Sequence, residues 1–379
     1  MDQEITAMTV TRRTVLAAGA VAAAAAATTS LTSRSPAHAD EPDSFPLRLP
    51  DMPLHDPYIV PDEASGMYYL YSYNDWDTTG VREVGTMVYR SRNLRDWAEP
   101  VVVFRTNPGM WATDGAWAPE VHRYRGRYYL FTTLHNESRE IPVPPPNQWG
   151  MPVQMRNYMR GTIIAVSDSL LGPFEPVDPT RPVAPENFMT LDGTLYEDLD
   201  GRPWMVYAHE WLQKIEGTME AVPLKPDLSG ADGDPVFLFK ASDASWISAE
   251  MPAPSTNQIT PYVTDGPQLY RAPSGALIML WSTYEKNVNG GGGTVDGHYV
   301  QTYAVSHSGN FSGPWAQREP LLRQDSGHGM IFNTLDRPSR PMLIVHRPFD
   351  NARGKLYEID FRGSQLHLGR QRTDLDGDQ

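Results

Sequence analysis

The sequence predicts an all-β protein, a five-bladed β-propeller, from two observations: one hairpin unit recurs along the chain, and turn-forming and aromatic residues are abundant. Each unit is a strand that opens near a polar residue, a short turn and an aromatic-rich second strand. The five opening strands lie in residues 56–60, 117–121, 192–196, 265–270 and 327–332, about 60 to 75 residues apart. The 30 Gly, 34 Pro, 10 Trp and 18 Tyr suit many short strands joined by tight turns.

The later strands of each unit support the same architecture. Second strands are predicted in residues 67–71, 127–131, 203–207, 276–281 and 342–346, and third strands in residues 87–91, 163–167 and 301–305. An unrelated β-sandwich or a pair of barrels is the alternative, but those folds do not repeat one hairpin at a steady spacing. The repeat therefore favours the propeller.

The first 39 residues differ in composition from the rest. Arg12 and Arg13 precede an alanine-rich apolar run that ends in Ala37-His38-Ala39. This order is typical of a Tat-type signal peptide, and the alternative is an alanine-rich amphipathic or membrane helix. We expect residues 1–39 to be removed on export, which leaves residues 40–379 as one propeller domain in a secreted or extracytoplasmic protein.

Charge and cysteine content exclude several classes of partner and chemistry. The formal net charge of −14 becomes −15 without residues 1–39, which hold three arginines and two acidic residues. Nucleic acid and anionic membranes require a basic surface, so neither is expected as a partner. The absence of cysteine excludes disulfides, thiol nucleophiles and Cys-ligated zinc. A neutral carbohydrate remains compatible, and the sequence does not indicate an oligomeric state.

Acidic residues are predicted to converge on the central channel. The first strand of each propeller blade lines the channel, so the residues that open these strands meet at one end of it. They include Asp56, Asp192, Asp265 and His328. Carboxyl groups gathered in this way repel one another, and such clusters are unfavourable unless they serve a function.

Two carboxyl groups with separated pKa values can hydrolyse a glycosidic bond. Asp56 is the candidate base, since Pro57 favours an extended backbone before it. For the acid, the sequence leaves Glu210 and Asp265 open. We favour Glu210, because a hairpin turn at residues 198–202 would place it opposite Asp192, whose charge would then hold its proton. A salt bridge at a blade edge is the alternative role for Glu210.

Several further side chains are candidates for binding a sugar. His328 lies between two glycines and should point at the channel axis, where it could bind a sugar, a water or a metal ion; a purely structural role is the alternative. The other candidates are Trp76, Trp117, Glu120, His209, Trp211 and His346. Tryptophans in propellers commonly pack between blades, so that role stays open for each of them.

At these residues the sequence resembles glycoside hydrolase family 43, the five-bladed arabinofuranosidases and xylosidases. The motifs that carry the resemblance are Asp56-Pro57, Trp117-Ala118-Pro119, Leu191-Asp192-Gly193 and Gly327-His328. The chain departs from the family in blade four, where Asp265-Gly266-Pro267 replaces the usual E-G-P motif. The motifs Val263 to Pro267, His209 to Trp211 and Gly327 to Met330 resemble an under-characterised branch.

The resemblance implies an inverting, single-displacement hydrolysis of plant or microbial polysaccharides, in which Asp56 activates water and the acid protonates the leaving oxygen. It implies that no organic cofactor is needed. It also implies that a calcium ion can bind in the channel near His328. A non-catalytic carbohydrate-binding propeller is the main alternative, motivated by the aspartate in blade four. A scaffold for protein partners is the second alternative and would require exposed apolar patches.

Overall fold

The computed structural model describes residues 44–142, 157–214, 216–247, 262–285 and 299–377. They form five antiparallel sheets of four strands each, which are the blades of a propeller. Blade 1 contains β1 (Tyr58–Asp62), β2 (Met67–Tyr73), β3 (Gly85–Ser91) and β4 (Val101–Arg105). Blade 2 contains β5 (Asp114–Tyr124), β6 (Arg127–Glu140), β7 (Tyr158–Ser167) and β8 (Glu175–Pro176). The predicted fold is confirmed.

The remaining blades follow in chain order. Blade 3 contains β9 (Thr190–Glu197), β10 (Pro203–His209), β11 (Thr218–Pro223) and β12 (Val236–Lys240). Blade 4 contains β13 (Asp265–Arg271), β14 (Leu277–Tyr284), β15 (Tyr299–Ser306) and β16 (Ala316–Gln317). Blade 5 contains β17 (Gly327–Asn333), β18 (Pro341–Arg347), β19 (Arg353–Arg362) and β20 (Gln365–Gln371). The short helices are α1 (Trp76–Thr79), α2 (Trp211–Lys214), α3 (Thr373–Asp376) and two 3-10 turns, Leu49–Asp51 and Ala241–Asp243.

The innermost strands close into a ring. Each of β1, β5, β9, β13 and β17 contacts the next, and β17 contacts β1. Between blades the sheet faces bury apolar side chains; Met219 of blade 3 and Trp281 of blade 4, for example, belong to one fully buried cluster. Burying a large apolar side chain stabilises the fold by about 1.5–3 kcal/mol. Packing of this kind holds together a chain that has no disulfides.

In the described chain each blade is built from four consecutive strands, so no blade combines strands from both ends of the chain. Other contacts must therefore close the seam between blades 1 and 5. The segment before β1 bridges the seam: the Leu54 amide donates to the carbonyl oxygen of Ala352 at 3.1 Å. Nε of Arg353 donates to the carbonyl oxygen of Pro50 at 2.8 Å. The seam thus combines apolar packing with backbone-directed hydrogen bonds.

One end of the channel carries the candidate residues. Asp56 precedes β1, and the antiparallel order brings the loops β2–β3 and β10–β11, which hold α1 and α2, to the same end. We call this end the site face. The predicted signal peptide, residues 1–39, lies outside the described residues. In the described part of the chain, every helix is too short or too polar to cross a bilayer.

Candidate active site

Besides Gly115 and Ala116 of blade 2, a left-handed backbone recurs at one equivalent residue of each blade, where the inner strand reaches the site face. These five residues are Asp56 (φ 47°), Ala118 (φ 45°), Asp192 (φ 57°), Gly266 (φ 53°) and His328 (φ 46°). In blades 2 to 5 the strand register skips there, so that two residues of the inner strand oppose one residue of its neighbour. This is a β-bulge, which bends a strand and redirects its side chains.

The sequence around each bulge suits this geometry. The residue that follows is always proline or glycine: Pro57, Pro119, Gly193, Pro267 and Gly329. Proline has no N–H to offer the sheet, and glycine permits close approach, so neither opposes a break in the ladder. A left-handed non-glycine residue costs about 1–3 kcal/mol and recurs at functional sites. Here it directs Asp56, Asp192 and His328 towards one point, and the extended backbone expected for Asp56 before Pro57 is wrong.

The imidazole of His328 is the centre of the site. Its Nδ1 lies 3.1 Å from Oδ1 of Asp56, 3.8 Å from Oδ1 of Asp265 and 4.0 Å from Oδ2 of Asp192. The strands of blades 1, 3, 4 and 5 therefore bring three carboxyl groups around one ring nitrogen. The predicted convergence of these four residues is observed.

Asp56 is held in its ionised form. Burial opposes ionisation, but His328 and His346 outweigh it and keep the pKa of the Asp56 carboxyl below its ordinary value. Nδ1 of His346 lies 3.3 Å from Oδ1 of Asp56 and also accepts the Asp56 backbone N–H at 3.2 Å. A carboxylate that stays ionised at neutral pH and keeps 18% of its side chain exposed is suited to activate water.

Asp192 is held in its protonated form. Burial, followed by the neighbouring charges of Asp265 and Asp56, raises the pKa of the Asp192 carboxyl well above its ordinary value. Oδ2 of Asp192 accepts the backbone N–H of Gly266 at 3.1 Å, which offsets part of this shift. On the other side, the hydroxyl of Tyr299 donates to Oδ2 of Asp265. The channel therefore contains one carboxyl group whose pKa is lowered, Asp56, and a neighbouring one whose pKa is raised, Asp192.

Glu210 follows β10 in blade 3 and is 1% exposed. The expected cross-strand pair with Asp192 is not formed: the backbone N–H of Glu210 bonds to Met189, and the bulge places Asp192 opposite Tyr207. The carboxyl group meets Arg160 of β7 instead, whose Nη1 donates to Oε1 at 2.6 Å and to Oε2 at 2.7 Å. Burial raises the pKa of Glu210, Arg160 opposes this, and Asp265 adds to it.

The sequence and fold match one family of known proteins. A family model described as "Glycosyl hydrolases family 43" matches residues 51–355. The endo-arabinase from Bacteroides thetaiotaomicron is 36% identical, and the match covers 85% of this chain and all of that chain with a TM-score of 0.70. This protein belongs to glycosyl hydrolase family 43. The predicted family and enzyme class are confirmed.

Two more distant relatives of this family 43 protein also have names that refer to arabinose-containing substrates. The extracellular endo-α-(1→5)-L-arabinanase 1 of Bacillus subtilis (strain 168) is 23% identical over 204 residues, which are 49% of this chain and 56% of that protein. The chain thus aligns with little more than half of that curated relative. The α-L-arabinofuranosidase from Lactobacillus brevis is 17% identical, covers 83% of this chain and 93% of its own, and shares the fold with a TM-score of 0.57.

Three predicted sugar-binding residues of the family 43 protein have other contacts. His346 is fully buried beneath Asp56, so it reaches the base and not a bound sugar. Glu120 is buried two residues past the bulge of blade 2, where it bonds Nε2 of His122 at 2.9 Å. His209 lies with Nδ1 3.1 Å from Glu220 and Nε2 2.8 Å from Gln213. We correct these three assignments to supporting roles. The described polar contacts of Glu120 and His209 are with protein groups, and His346 contacts Asp56 through Nδ1, while its Nε2 is buried and has no hydrogen-bond partner in the described structure.

The three predicted tryptophans lie on the site face, with different exposure. Trp76 begins α1 and is 52% exposed, with the guanidinium of Arg82 5.0 Å from its ring. Trp117 precedes the bulge of blade 2 and lies beneath the guanidinium of Arg160 at 4.9 Å. Trp211 begins α2 directly after Glu210 and is half-buried against the core. Only Trp76, of these three, presents a largely open ring.

Sequence reasoning missed two residues of the site, Arg160 and Tyr299. Both stand near the start of the third strand of a blade, at the site face. The signal for Arg160 was available: it is the one charged residue of the strand Tyr158–Ser167 and lies third from its start. Its partner could not be read from the sequence, since Glu210 belongs to another blade and lies 50 positions further along the chain.

The expected calcium ion fits this chain only in part. Ligand atoms of Asp192, Asp265 and His328 lie within 4.8 Å of one another, and a second such group is His55, Asp56 and His346. Calcium takes six to eight oxygen ligands. The first group offers one oxygen from each of two carboxylates and an imidazole nitrogen, so water would have to supply most ligands.

Proposed function

We propose that this protein is an exported family 43 hydrolase that cleaves α-L-arabinofuranosidic bonds in plant arabinans by a single inverting displacement. Asp56 takes a proton from the attacking water, Glu210 gives a proton to the leaving oxygen, and Asp192 stays protonated beside the base. Nucleic acid and membranes are not partners in this proposal. The substrate rests on the arabinose-related relatives.

The observation that carries the proposal is the group of three carboxyl groups around Nδ1 of His328. An ionised Asp56 and a protonated Asp192 are the two states that a general base and its neutral neighbour require. Because the whole cluster is buried or half-buried, the separation of charge states is maintained by contacts within the protein.

Glu210 is favoured over Asp265 as the acid for a geometric reason. Asp265 shares the His328 imidazole with Asp56 and is engaged by Tyr299, so it lies with the base. In an inverting hydrolase the acid stands apart from the base, with the sugar and a water between them. Glu210 contacts neither His328 nor Asp56 among the described contacts, and burial raises its pKa as an acid requires.

Export is part of the proposal because the twin-arginine sequence precedes an alanine-rich run and a small-residue cleavage motif. The B. subtilis relative is extracellular by name. N-terminal sequencing of the protein recovered from the culture medium of a host with Tat secretion tests this. We expect a mature chain that begins at Asp40; retention of residues 1–39 would contradict the proposal.

Turnover tests the proposed reaction. The purified protein is incubated with debranched arabinan, linear α-1,5-arabino-oligosaccharides, aryl α-L-arabinofuranosides and matched xylan substrates, and reducing sugar is measured. ¹H NMR of the first product reports its anomeric configuration, and we expect inversion. Release from xylans alone would overturn the substrate. Binding of a carbohydrate without release of reducing sugar from any substrate would favour the alternative function, a non-catalytic carbohydrate-binding propeller. Asp265, which stands where the family usually has glutamate, also favours that alternative.

Two variants distinguish the candidate acids. Glu210→Gln should lower kcat on unactivated substrates at least about a hundredfold, the usual scale for the loss of a general acid. It should spare aryl substrates whose leaving group needs no proton. If Glu210→Gln keeps wild-type activity while Asp265→Asn is inactive, the acid is Asp265.

A calcium ion near His328 remains a proposal with a structural or electrostatic role. Activity and thermal unfolding are compared before and after treatment with a chelator, and after calcium is added back. Lower activity that calcium alone restores would support the ion. Unchanged activity and melting temperature would contradict it.

A further inference from the structure

Arg160 connects two blades at the proposed acid. It lies in β7 of blade 2, whereas Glu210 follows β10 of blade 3. One nitrogen, Nη1, donates to both oxygens of the Glu210 carboxyl group, at 2.6 and 2.7 Å. Both side chains are largely buried, with Arg160 13% and Glu210 1% exposed. The orientation of the acid is therefore set by the neighbouring blade.

The guanidinium is itself held in place by two rings. It lies 4.9 Å from the ring of Trp117, and its Nε donates to Nδ1 of His135 at 3.3 Å. Trp117 and His135 stack on each other with ring centroids 5.7 Å apart. Burial, followed by the charge of Arg160, lowers the pKa of His135, so its ring stays neutral and accepts the hydrogen bond. Cation–π and hydrogen-bond contacts thus restrict the arginine to one position.

We propose that Arg160 is a positioning residue for the general acid: it orients the carboxyl group of Glu210 and receives the carboxylate that remains after proton transfer. This inference rests on the proposed function. In the step, the O–H bond of Glu210 breaks and an O–H bond forms to the leaving oxygen, which takes the electron pair of the glycosidic C–O bond. The two-oxygen contact with Arg160 suits the resulting anion, because a charge-assisted hydrogen bond is stronger than a neutral one.

The charges that face Glu210 allow the sign of the effect to be worked out. Arg160 faces it from β7, Asp265 from β13 and His209 from β10; behind Arg160 lie His135 and, 3.7 Å further, Glu137. Burial and Asp265 raise the pKa of Glu210, and Arg160 is the largest opposing influence. Removing the cation raises that pKa further. The acid would then stay protonated to higher pH but would form its anion less readily.

The test compares Arg160→Met and Arg160→Lys with a matched control, Arg372→Met. Arg372 is buried to a similar degree, at 17% exposed, and pairs with Asp374 far from the site. The probes are aryl α-L-arabinofuranosides with a dinitrophenyl leaving group and with an unactivated phenyl leaving group. A lesion that acts through the acid depends on the leaving group, whereas a general packing defect lowers both rates alike.

We expect Arg160→Met to lower kcat on the phenyl substrate by about 10²-fold or more, with little change on the dinitrophenyl substrate, and to move the basic limb of the pH profile upward. Arg160→Lys should retain part of the rate, since it keeps the charge and loses the geometry. Arg372→Met should leave both rates unchanged. Equal losses on both substrates, or an unmoved basic limb, would overturn the inference.

A second measurement does not depend on turnover. The carboxyl carbon of Glu210 is followed by ¹³C NMR and assigned by its absence in Glu210→Gln. Its midpoint should move to higher pH in Arg160→Met, and an unchanged midpoint would refute the inference even if no substrate is found. Inactivity of the wild-type protein on every arabinoside, together with a shifted midpoint, would refute the proposed substrate and leave the Arg160–Glu210 link intact.

Discussion

Blades 1 and 4 bring a carboxyl group to the same imidazole by different backbone routes. In blade 1 the left-handed residue is Asp56 itself, with φ 47°. In blade 4 that position is Gly266, and the carboxyl group belongs to the preceding residue, Asp265. The glycine leaves the space that the ring of His328 occupies. Blade 1 thus supplies the base, Asp56, and blade 4 supplies the space for the imidazole of His328, which contacts that base.

The difference shows that the bulge and the chemistry are separable. In all five blades a left-handed residue stands where the inner strand reaches the site face, yet only blades 1, 3 and 5 place a functional side chain at that position. Blade 2 has Ala118 there and contributes through Arg160 of its third strand. Substitutions at equivalent positions of different blades should therefore have very unequal effects.

The largest effect is expected at the functional residue of blade 1. Asp56→Asn removes the carboxylate that activates water, and we expect kcat to fall by about 10²–10⁴-fold, the range for losing a general base. Initial rates on arabinan measure this. Substrate binding, followed by calorimetry, should persist because the amide keeps the shape of the side chain. Near-normal kcat would remove Asp56 from the mechanism.

The equivalent position of blade 4 should be almost as sensitive, for a steric reason. A Cβ on Gly266 would lie 2.9 Å from Cγ and Cδ2 of His328, closer than van der Waals contact allows. Gly266→Ala should displace the imidazole from Asp56 and lower kcat by about 10²-fold. The matched control is Gly363→Ala, which has a similar φ of 62° but no atom within 4 Å of the new Cβ. Equal activity of the two variants would show that His328 tolerates displacement.

Blade 3 sharpens the comparison through pH. The folded-state pKa of Asp192 is raised, so its contribution to stability is present below the ordinary value of 3.8 and is lost as the pH rises. Asp192→Asn keeps the neutral state of the folded protein and removes the ionisation that stabilises the unfolded chain, so it should raise the melting temperature at pH 7 by about 2–4 °C, with little difference at pH 4. Thermal unfolding at both pH values checks this. A stabilisation that is the same at both would contradict the assignment.

The smallest effect is expected in blade 2. Ala118 has φ 45°, where the Cβ of an L-residue costs about 1–2 kcal/mol, more than the chain entropy of glycine, about 0.5–1 kcal/mol. Ala118→Gly should raise the free energy of unfolding by up to about 1 kcal/mol without changing kcat. Ala165→Gly, at a regularly paired strand position, should lower it. Denaturant unfolding of both variants decides whether the bulge is strained.

Much of the fold and of the site could be predicted from the sequence, because one hairpin repeats along the chain and the inner strands of a propeller meet at one channel. The repeated hairpins located all five inner strands, and propeller geometry gathered Asp56, Asp192, Asp265 and His328. The predicted pair of Asp192 with Glu210 is wrong because the hairpin pairs Glu197 with Pro203, a register that already places Asp192 near Ala208, and the bulge shifts it one residue further, to Tyr207. The predicted sugar-binding roles of His209 and Glu120 were wrong because the sequence does not show which protein groups a buried polar side chain bonds to; here they are Glu220 and Gln213 for His209, and His122 for Glu120.

The seam between the first and last blades passes through the reaction centre. Asp56 stands at the beginning of blade 1, and His346, which contacts it, lies 290 positions later in blade 5. During synthesis the base emerges from the ribosome early and its imidazoles emerge near the end. An unfinished or C-terminally truncated chain therefore carries the base without the residues that keep it ionised, and the hydrolase becomes competent only when translation is nearly complete.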